Sequence, residues 1–194
     1  SIIGFVNGEI SLQDTGLSIV GAHTDSPSLM LKPNPIIRNL GYIQLGVEVY
    51  GGALLKPWFD RDLSISGRIF VRDKTGERSE RLVDLENPIG FIPSLSIHLN
   101  RDANGNSPIN AQTDILPILS QENLSDDLTG SPLEELLKSQ FVDPEDSLLA
   151  HDLYLYDTQP ASVIGLSNEF IASRCLDNLV SCYAGIEALL GSSH

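Results

Sequence analysis

The hydrophobic pattern of the chain changes twice, and this change limits the folds that the chain can adopt. Residues 17–22 form a short, mostly apolar run ending in small residues, which is typical of a strand buried on both faces. From about residue 36 apolar and polar residues alternate, as in 44–50, and alternation predicts half-buried strands. Residues 176–190 carry apolar side chains at helical spacing. The two ends therefore favour an α/β domain and the middle favours a β-rich one.

We accordingly predict an α/β domain, made of residues 1–35 and 161–194, that is interrupted by a β-rich insert at residues 36–160. Inside the insert, Pro132 at a first helical position predicts a short helix from Ser131 to Gln140. The other elements that we predict are a hairpin at 1–12 with its turn at Asn7-Gly8, strands at 63–66, 68–72, 81–85 and 153–156, and a mostly irregular stretch at 102–132.

The charge of the chain excludes some partners. Of its 194 residues, 26 are acidic and 12 basic, and the net charge of -14 makes nucleic acid and anionic membranes unsuitable partners. No apolar run is long enough to predict a membrane span. The acidic stretch 122–146 is expected to be a solvated surface segment. Cys175 and Cys182 are too far apart along one helix for a disulfide, so we expect a reduced, cytoplasmic setting.

Polar residues with metal-binding chemistry follow the apolar run at once. His23 and Asp25 would lie at the carboxyl end of the predicted strand, where ligands bind in open α/β sheets. One imidazole nitrogen of His23 could bind a metal while Asp25 fixes the ring. The pair is also compatible with a hydrogen-bonded turn histidine and a capping aspartate.

A second candidate lies at the start of the last helix. Asp177 could bridge two cations with its two carboxylate oxygens, or it could be an ordinary N-terminal cap. Because His23 and Asp177 both follow predicted strands of the same domain, they are expected to converge in space. One histidine and one bridging carboxylate are the beginning of a two-metal hydrolase site.

Five strings, taken in order, resemble the aspartyl aminopeptidase family of zinc metallopeptidases. The resemblance covers about residues 3–190 and is specific, because the long motifs occur in register. The strings are GAHTDSPSLMLKPNP (21–35), YGGALLKPWFDRDLSISGR (50–68), IPSLSIHLNR (92–101), HDLYLYDTQP (151–160) and EFIASRCLDNLVSCYAG (169–185).

The resemblance implies a zinc-peptidase α/β domain carrying a dimerisation insert, two zinc ions in the complete protein, peptide substrates and a homo-oligomer. It implies that His23 is a zinc ligand, that Asp25 orients it as part of the catalytic site, and that Asp177 bridges the two ions. It also implies that His98, in the insert, is either a metal ligand or a group that reaches a neighbouring subunit's site.

The sequence departs from the family pattern in two places. Cys175 separates Arg174 from Leu176, so no family role is assigned to Arg174. No counterpart of the family's acidic pair or of its last histidine follows Asp177 before the chain ends at His194. We therefore expect a truncated chain that is inactive alone, from a protein that removes N-terminal, acidic residues. The alternative is a non-catalytic assembly module that retains the dimerisation insert.

Overall fold

The computed structural model describes residues 2–105, 107–122 and 131–192. The chain divides into two compact units, one of residues 1–26 and 160–194 and the other of residues 27–159. The sequence prediction placed the first boundary at residue 35. In the structure it falls earlier because residues 28–39 form a strand of the larger unit's sheet.

The larger unit is built on a six-stranded antiparallel sheet. Its strands lie in the order β4-β3-β6-β1-β2-β5, so the long hairpin β1-β2 and the hairpin β3-β4 are joined through β6. The strands are β1 (Ser28–Asn39), β2 (Tyr42–Tyr50), β3 (Leu63–Arg72), β4 (Arg78–Asp84), β5 (Ile118–Gln121) and β6 (Ser147–Asp157). A 3₁₀ helix, Lys56–Trp58, precedes β3.

The core of this unit lies on one face of the sheet. Alternation places Leu63, Ile65 and Ile69 of β3 on that face, and all three are fully buried. The helix α2 (Pro132–Phe141) supplies Leu133 and Leu137 to the same core. The helix α1 (Leu12–Thr15) belongs to the other unit. The predicted β-rich character of the insert is confirmed.

Two strands of the larger unit, β1 and β5, were not predicted from the sequence, for identifiable reasons. β1 contains Pro33 and Pro35, which cannot donate ladder hydrogen bonds and therefore argue against a strand. The structure accommodates them in an irregularity between Leu31 and Ile36, where the register with β2 shifts. β5 is only four residues long and lies in a stretch rich in turn residues.

The helix predicted at Ser131–Gln140 is confirmed. Ser131 is its N-cap, its hydroxyl accepts from the Glu134 backbone N–H, and Pro132 opens the helix. The acidic stretch proves to be more than a solvated surface in its described part. Asp143 and Asp146 both bind Arg81 on β4, and the side chain of Asp146 is only 9% exposed. Residues 123–130 of that stretch lie outside the described residues.

The smaller unit contains α1, a two-stranded hairpin and a long helix. The hairpin pairs β7 (Ser162–Ile164) with β8 (Phe170–Ala172), and α3 spans Leu176–Leu190 as the sequence predicts. The hairpin predicted at residues 1–12 is wrong, because the described residues there form no strand. The only regular element that the structure describes near this segment is the helix α1, which begins at Leu12.

The strand predicted at residues 17–22 is also wrong. A strand buried on both faces needs a hydrogen-bonded neighbour on each side, and no described residue pairs with this run. Leu17, Ile19 and Val20 are more than two-thirds exposed as a result. Separately, no helix among the described residues is long and apolar enough to cross a membrane.

Candidate metal centre

The imidazole of His23 is held in one orientation by the residue that the sequence analysis named as its partner. Its Nδ1 lies 2.8 Å from the backbone carbonyl oxygen of Asp25 and 3.4 Å from the carboxylate Oδ1 of the same residue. A carbonyl oxygen can only accept, so Nδ1 carries the proton and donates it. The lone pair is then on Nε2, which is the tautomer that a metal ligand requires. Asp25 thus orients His23 through its main chain as well as its side chain.

The lone pair of His23 faces Asp177. The distance from Nε2 to the carboxylate Oδ1 of Asp177 is 4.0 Å, which is too long for a hydrogen bond. Zinc bonds to nitrogen and oxygen are each about 2 Å long, so this separation is close to the largest that one shared ion can span. The side chains are 55% and 93% exposed, which leaves the space between them open to a metal or a substrate. The proximity of His23 and Asp177 agrees with the convergence predicted from the sequence.

The backbone at Asp177 departs from helical geometry. Asp177 has φ −89° and ψ 106°, and Asn178 also departs from helical values, so the regular part of α3 begins after both. The peptide bond between them is cis. No hydrogen bond from a described residue reaches the Asp177 carboxylate, and the helix N-cap position is occupied by Cys175. In this structure Asp177 is therefore not an ordinary capping residue.

Two further side chains connect the His23 segment to α3. Ser26 Oγ donates to the backbone carbonyl of Asp177 at 2.9 Å, and Cys182 Sγ donates to the backbone carbonyl of His23 at 3.2 Å. Each bond joins the segment of one candidate ligand to the segment of the other. Ser26 lies inside the first family string and Cys182 inside the last, but neither carries an obvious metal-binding pattern, so the sequence analysis gave them no role.

The side chains at this site supply some, but not all, of the ligands that one zinc ion needs. Imidazole and carboxylate are the ligands that zinc takes in catalytic sites, usually three from the protein with water as the fourth. Among the described residues no group of three or more His, Cys, Asp or Glu side chains converges on one point. His23 and Asp177 are thus two candidate ligands, and no third candidate lies beside them among the described residues.

His98 lies in the larger unit, on an exposed turn that follows Pro93. The backbone N–H groups of Leu99 and Asn100 donate to the Ser96 carbonyl and close this turn around it. Leu95, Ile97 and Leu99 are also exposed. A role of His98 at a metal or at a neighbouring subunit stays a prediction.

The whole chain matches a known peptidase family. Residues 1–194 match the family described as aminopeptidase I zinc metalloprotease (M18). Among curated proteins, the probable M18 family aminopeptidase 2 of Ectopseudomonas mendocina is 50% identical over 195 residues, which is all of this chain and 45% of that protein. The protein of the same name from Pseudomonas fluorescens strain SBW25 is 50% identical over 99% of this chain and 45% of its own.

The fold of this chain also resembles solved structures of aminopeptidases. The mApe1 structure of Chaetomium thermophilum aligns with a TM-score of 0.74 and 37% identity, over 89% of this chain and 41% of that one. A chain of the Ape4 and Nbr1 complex aligns with a TM-score of 0.76 and 35% identity, over 87% of this chain and 35% of that one. An M18 aminopeptidase from Thermotoga maritima, at 24% identity and a TM-score of 0.70, shares the fold.

This chain spans less than half the length of the curated relatives that it matches. Within that span the family match is complete, and it includes the segments of His23 and Asp177. The chain belongs to the M18 family of aminopeptidase I zinc metalloproteases.

Proposed function

We propose that this chain is part of a metal-dependent aminopeptidase that removes N-terminal residues from peptides with water activated by two zinc ions. The observation that carries the proposal is the 4.0 Å approach of His23 Nε2 to Asp177 Oδ1, with Nδ1 already bound to Asp25. Zinc, when bound, supplies an activated water and polarises the scissile carbonyl.

In this proposal the residues of this chain would bind the ions and orient one of their ligands. His23 would bind one ion through Nε2, and Asp25 would hold the ring against rotation and keep its proton on Nδ1. Asp177 would offer one carboxylate oxygen to each ion, for which its two oxygens are suited because no described group hydrogen-bonds them. His98 would act as a further ligand or reach a neighbouring subunit's site.

The proposed activity needs ligands beyond those that this chain brings together. Two zinc ions need about five or six protein ligands, even with one bridging carboxylate. His23 and Asp177 supply two, and the described residues offer no third beside them. A proton-accepting carboxylate is needed as well, and general base catalysis contributes on the order of 10²–10⁴-fold. We therefore propose that the 194-residue chain is inactive alone and that a protein of its relatives' length is active.

Self-association belongs to the same proposal. We assign it to the β-rich unit, residues 27–159, because this unit carries the sheet with exposed edges. A structural relative, S. cerevisiae mApe1, is described as a dodecamer, at 28% identity and a TM-score of 0.59. The preference for N-terminal Asp or Glu rests on the resemblance to aspartyl aminopeptidases.

One observation favours a second function. Because only two candidate ligands meet among the described residues, the chain could serve as a non-catalytic assembly module that contributes its β-rich unit to an oligomer.

An aminopeptidase assay with added zinc separates the two functions. The chain alone, a form extended to its relatives' length, and the extended form with His23→Ala are compared on peptides beginning with Asp, Glu or Ala. The proposal predicts turnover by the extended form alone, strongest on the acidic peptides. Turnover by the short chain above the His23→Ala blank would show that the active site lies elsewhere, and inactivity of all three would favour the assembly module.

A further inference from the structure

The strand β4 forms one edge of the six-stranded sheet. Its sequence is Arg-Ser-Glu-Arg-Leu-Val-Asp, residues 78–84, and among the described strands it pairs with β3 alone. Leu82, near its centre, is 82% exposed. An exposed strand edge presents unpaired backbone groups to solvent, and these groups can pair with another chain.

The hydrogen bonds at the two ends of the β3-β4 hairpin define which backbone groups face outward. Asp73 N–H donates to Glu77 O, and Leu85 N–H donates to Ile65 O. The residues of β4 that bond to β3 are therefore the odd-numbered ones, because hydrogen-bonded pairs alternate along an antiparallel ladder. The N–H and C=O groups of the even-numbered residues, 78, 80, 82 and 84, point away from β3.

The charges along this edge are arranged asymmetrically. Arg78, at one end, lies directly opposite Arg72 of β3, and neither has an ion pair with any described residue. Asp84, at the other end, accepts hydrogen bonds from Tyr156 Oη and the Glu86 N–H but pairs with no described cation. A strand with an unpaired cation at one end and an unpaired anion at the other is complementary to its own antiparallel copy.

Among the registers that join even-numbered residues to even-numbered ones and overlap five or more of the seven residues of β4, the charges select one. A two-fold axis through Glu80 would place the two Glu80 side chains opposite each other, and an axis through Leu82 would place Glu80 opposite Asp84. Both arrangements bring like charges together, which is destabilising. An axis through Arg81 places Arg78 opposite Asp84 of the second copy, twice, and Glu80 opposite Leu82.

The Arg81 register also suits the backbone and the other face of the sheet. It joins even-numbered residues to even-numbered ones, so the outward N–H and C=O groups of one strand meet those of the other. The two Arg81 residues would approach each other at the axis. Each guanidinium is already bound to Asp143, Asp146 and the Phe141 carbonyl of its own chain, which offsets their repulsion.

We propose that β4 is the self-association edge of this protein and that it pairs antiparallel with β4 of a second copy about an axis through Arg81, so that the sheet continues from one chain into the other. The inference rests on the proposed self-association of the β-rich unit and names the surface and the register that produce it.

Sedimentation of the 194-residue chain over a range of concentrations tests the pairing. Arg78→Glu would bring Glu against Asp84 at both ends of the interface and should raise the dimer dissociation constant by about tenfold or more. Arg101→Glu makes the same charge change at an exposed turn residue of the same unit, outside the sheet, and serves as the matched control with little expected effect. Leu82→Pro removes an outward N–H without breaking a bond to β3 and should abolish dimers.

A mixing experiment tests the register. Asp84→Lys alone should also weaken self-association, because it places Lys against Arg78. Mixing the Arg78→Glu chain with the Asp84→Lys chain restores opposite charges at both ends, so a mixed dimer should form where neither variant dimerises alone. Thermal unfolding of each variant checks that it remains folded.

The possible failures are distinguishable. A wild-type chain that is monomeric at every concentration overturns both self-association and this inference. A wild-type dimer that Arg78→Glu and Leu82→Pro leave intact keeps self-association and overturns the β4 edge. A mixture that stays monomeric while both single variants lose dimers overturns the register.

Discussion

At the scale of single residues, the candidate site depends on one proton. Because Nδ1 of His23 donates to the Asp25 carbonyl, Nε2 is left with the lone pair that faces Asp177. The sequence predicted the three residues and their convergence, since each lies in a specific family string. It could not predict that the main chain of Asp25 supplies the shorter contact, because the choice between carbonyl and carboxylate depends on local backbone geometry.

A second histidine, His151 on β6, is expected to make stability depend on pH. Its Nδ1 is buried and has no hydrogen-bond partner among the described residues. Burial lowers the pKa of His151 below the ordinary 6.5, opposed by the nearby Glu134 carboxylate and by a hydrogen bond with the Pro33 backbone. The unfolded chain therefore takes up a proton near pH 6.5 that the folded chain resists.

The free energy of unfolding should consequently fall as the pH drops below about 6.5 and stop falling, as far as this residue is concerned, once the lowered pKa is passed. Urea unfolding at a series of pH values measures this slope. His151→Gln, which cannot ionise, should flatten it, and His98→Gln is the control because His98 is exposed. An equal slope in wild type and His151→Gln would contradict the assignment.

At the scale of elements, alternation was a better guide than continuous apolarity. β2, β3 and α2 appear close to where the sequence predicted them, because each buries one face against a core within its own unit. The run at residues 17–22 failed as a strand because that arrangement needs neighbours that no described residue supplies. β1 was missed because its two prolines mask a strand whose pairing resumes after the irregularity.

The β3-β6 pairing depends on a glycine. A Cβ added at Gly67, whose φ is +151°, would lie 2.2 Å from the Asp152 carbonyl oxygen on β6. That oxygen belongs to the backbone of a paired strand, so it cannot move away without disturbing the sheet. Gly67→Ala should therefore destabilise the protein by roughly 3 kcal/mol. Gly52→Ala is the matched control, since nothing lies within 4 Å of its Cβ and its φ is unremarkable. Denaturant unfolding compares them, and equal midpoints would show that the sheet tolerates the extra carbon.

At the scale of the whole molecule, the buried core belongs to one unit. Among the residues that the structure describes, every fully buried large side chain lies between Leu29 and Leu155, inside residues 27–159. The smaller unit carries exposed apolar residues on both its N-terminal segment and α3, including Ile19, Val20 and Val180. The division of the chain was predictable from the change in hydrophobic pattern, but the boundary was not, because β1 looks like loop in sequence.

This division predicts that residues 27–159 fold without the rest of the chain. The excised fragment should unfold cooperatively in urea, because it retains the whole core and all six strands of the large sheet. It should also self-associate as the parent chain does. A fragment without a cooperative transition would show that the smaller unit is needed for folding.

The central claim is that His23 and Asp177 hold one metal ion together, and a double-mutant cycle measures this directly. Zinc affinity of the 194-residue chain is determined by titration calorimetry for wild type, His23→Ala, Asp177→Asn and the double variant, with Asp14→Asn as an exposed control in the same unit. Each single change should weaken zinc binding about tenfold or more. The double variant should bind little more weakly than either single variant, because the loss of one ligand already removes the shared site. Additive losses, or zinc affinity unchanged by either substitution, would contradict the account.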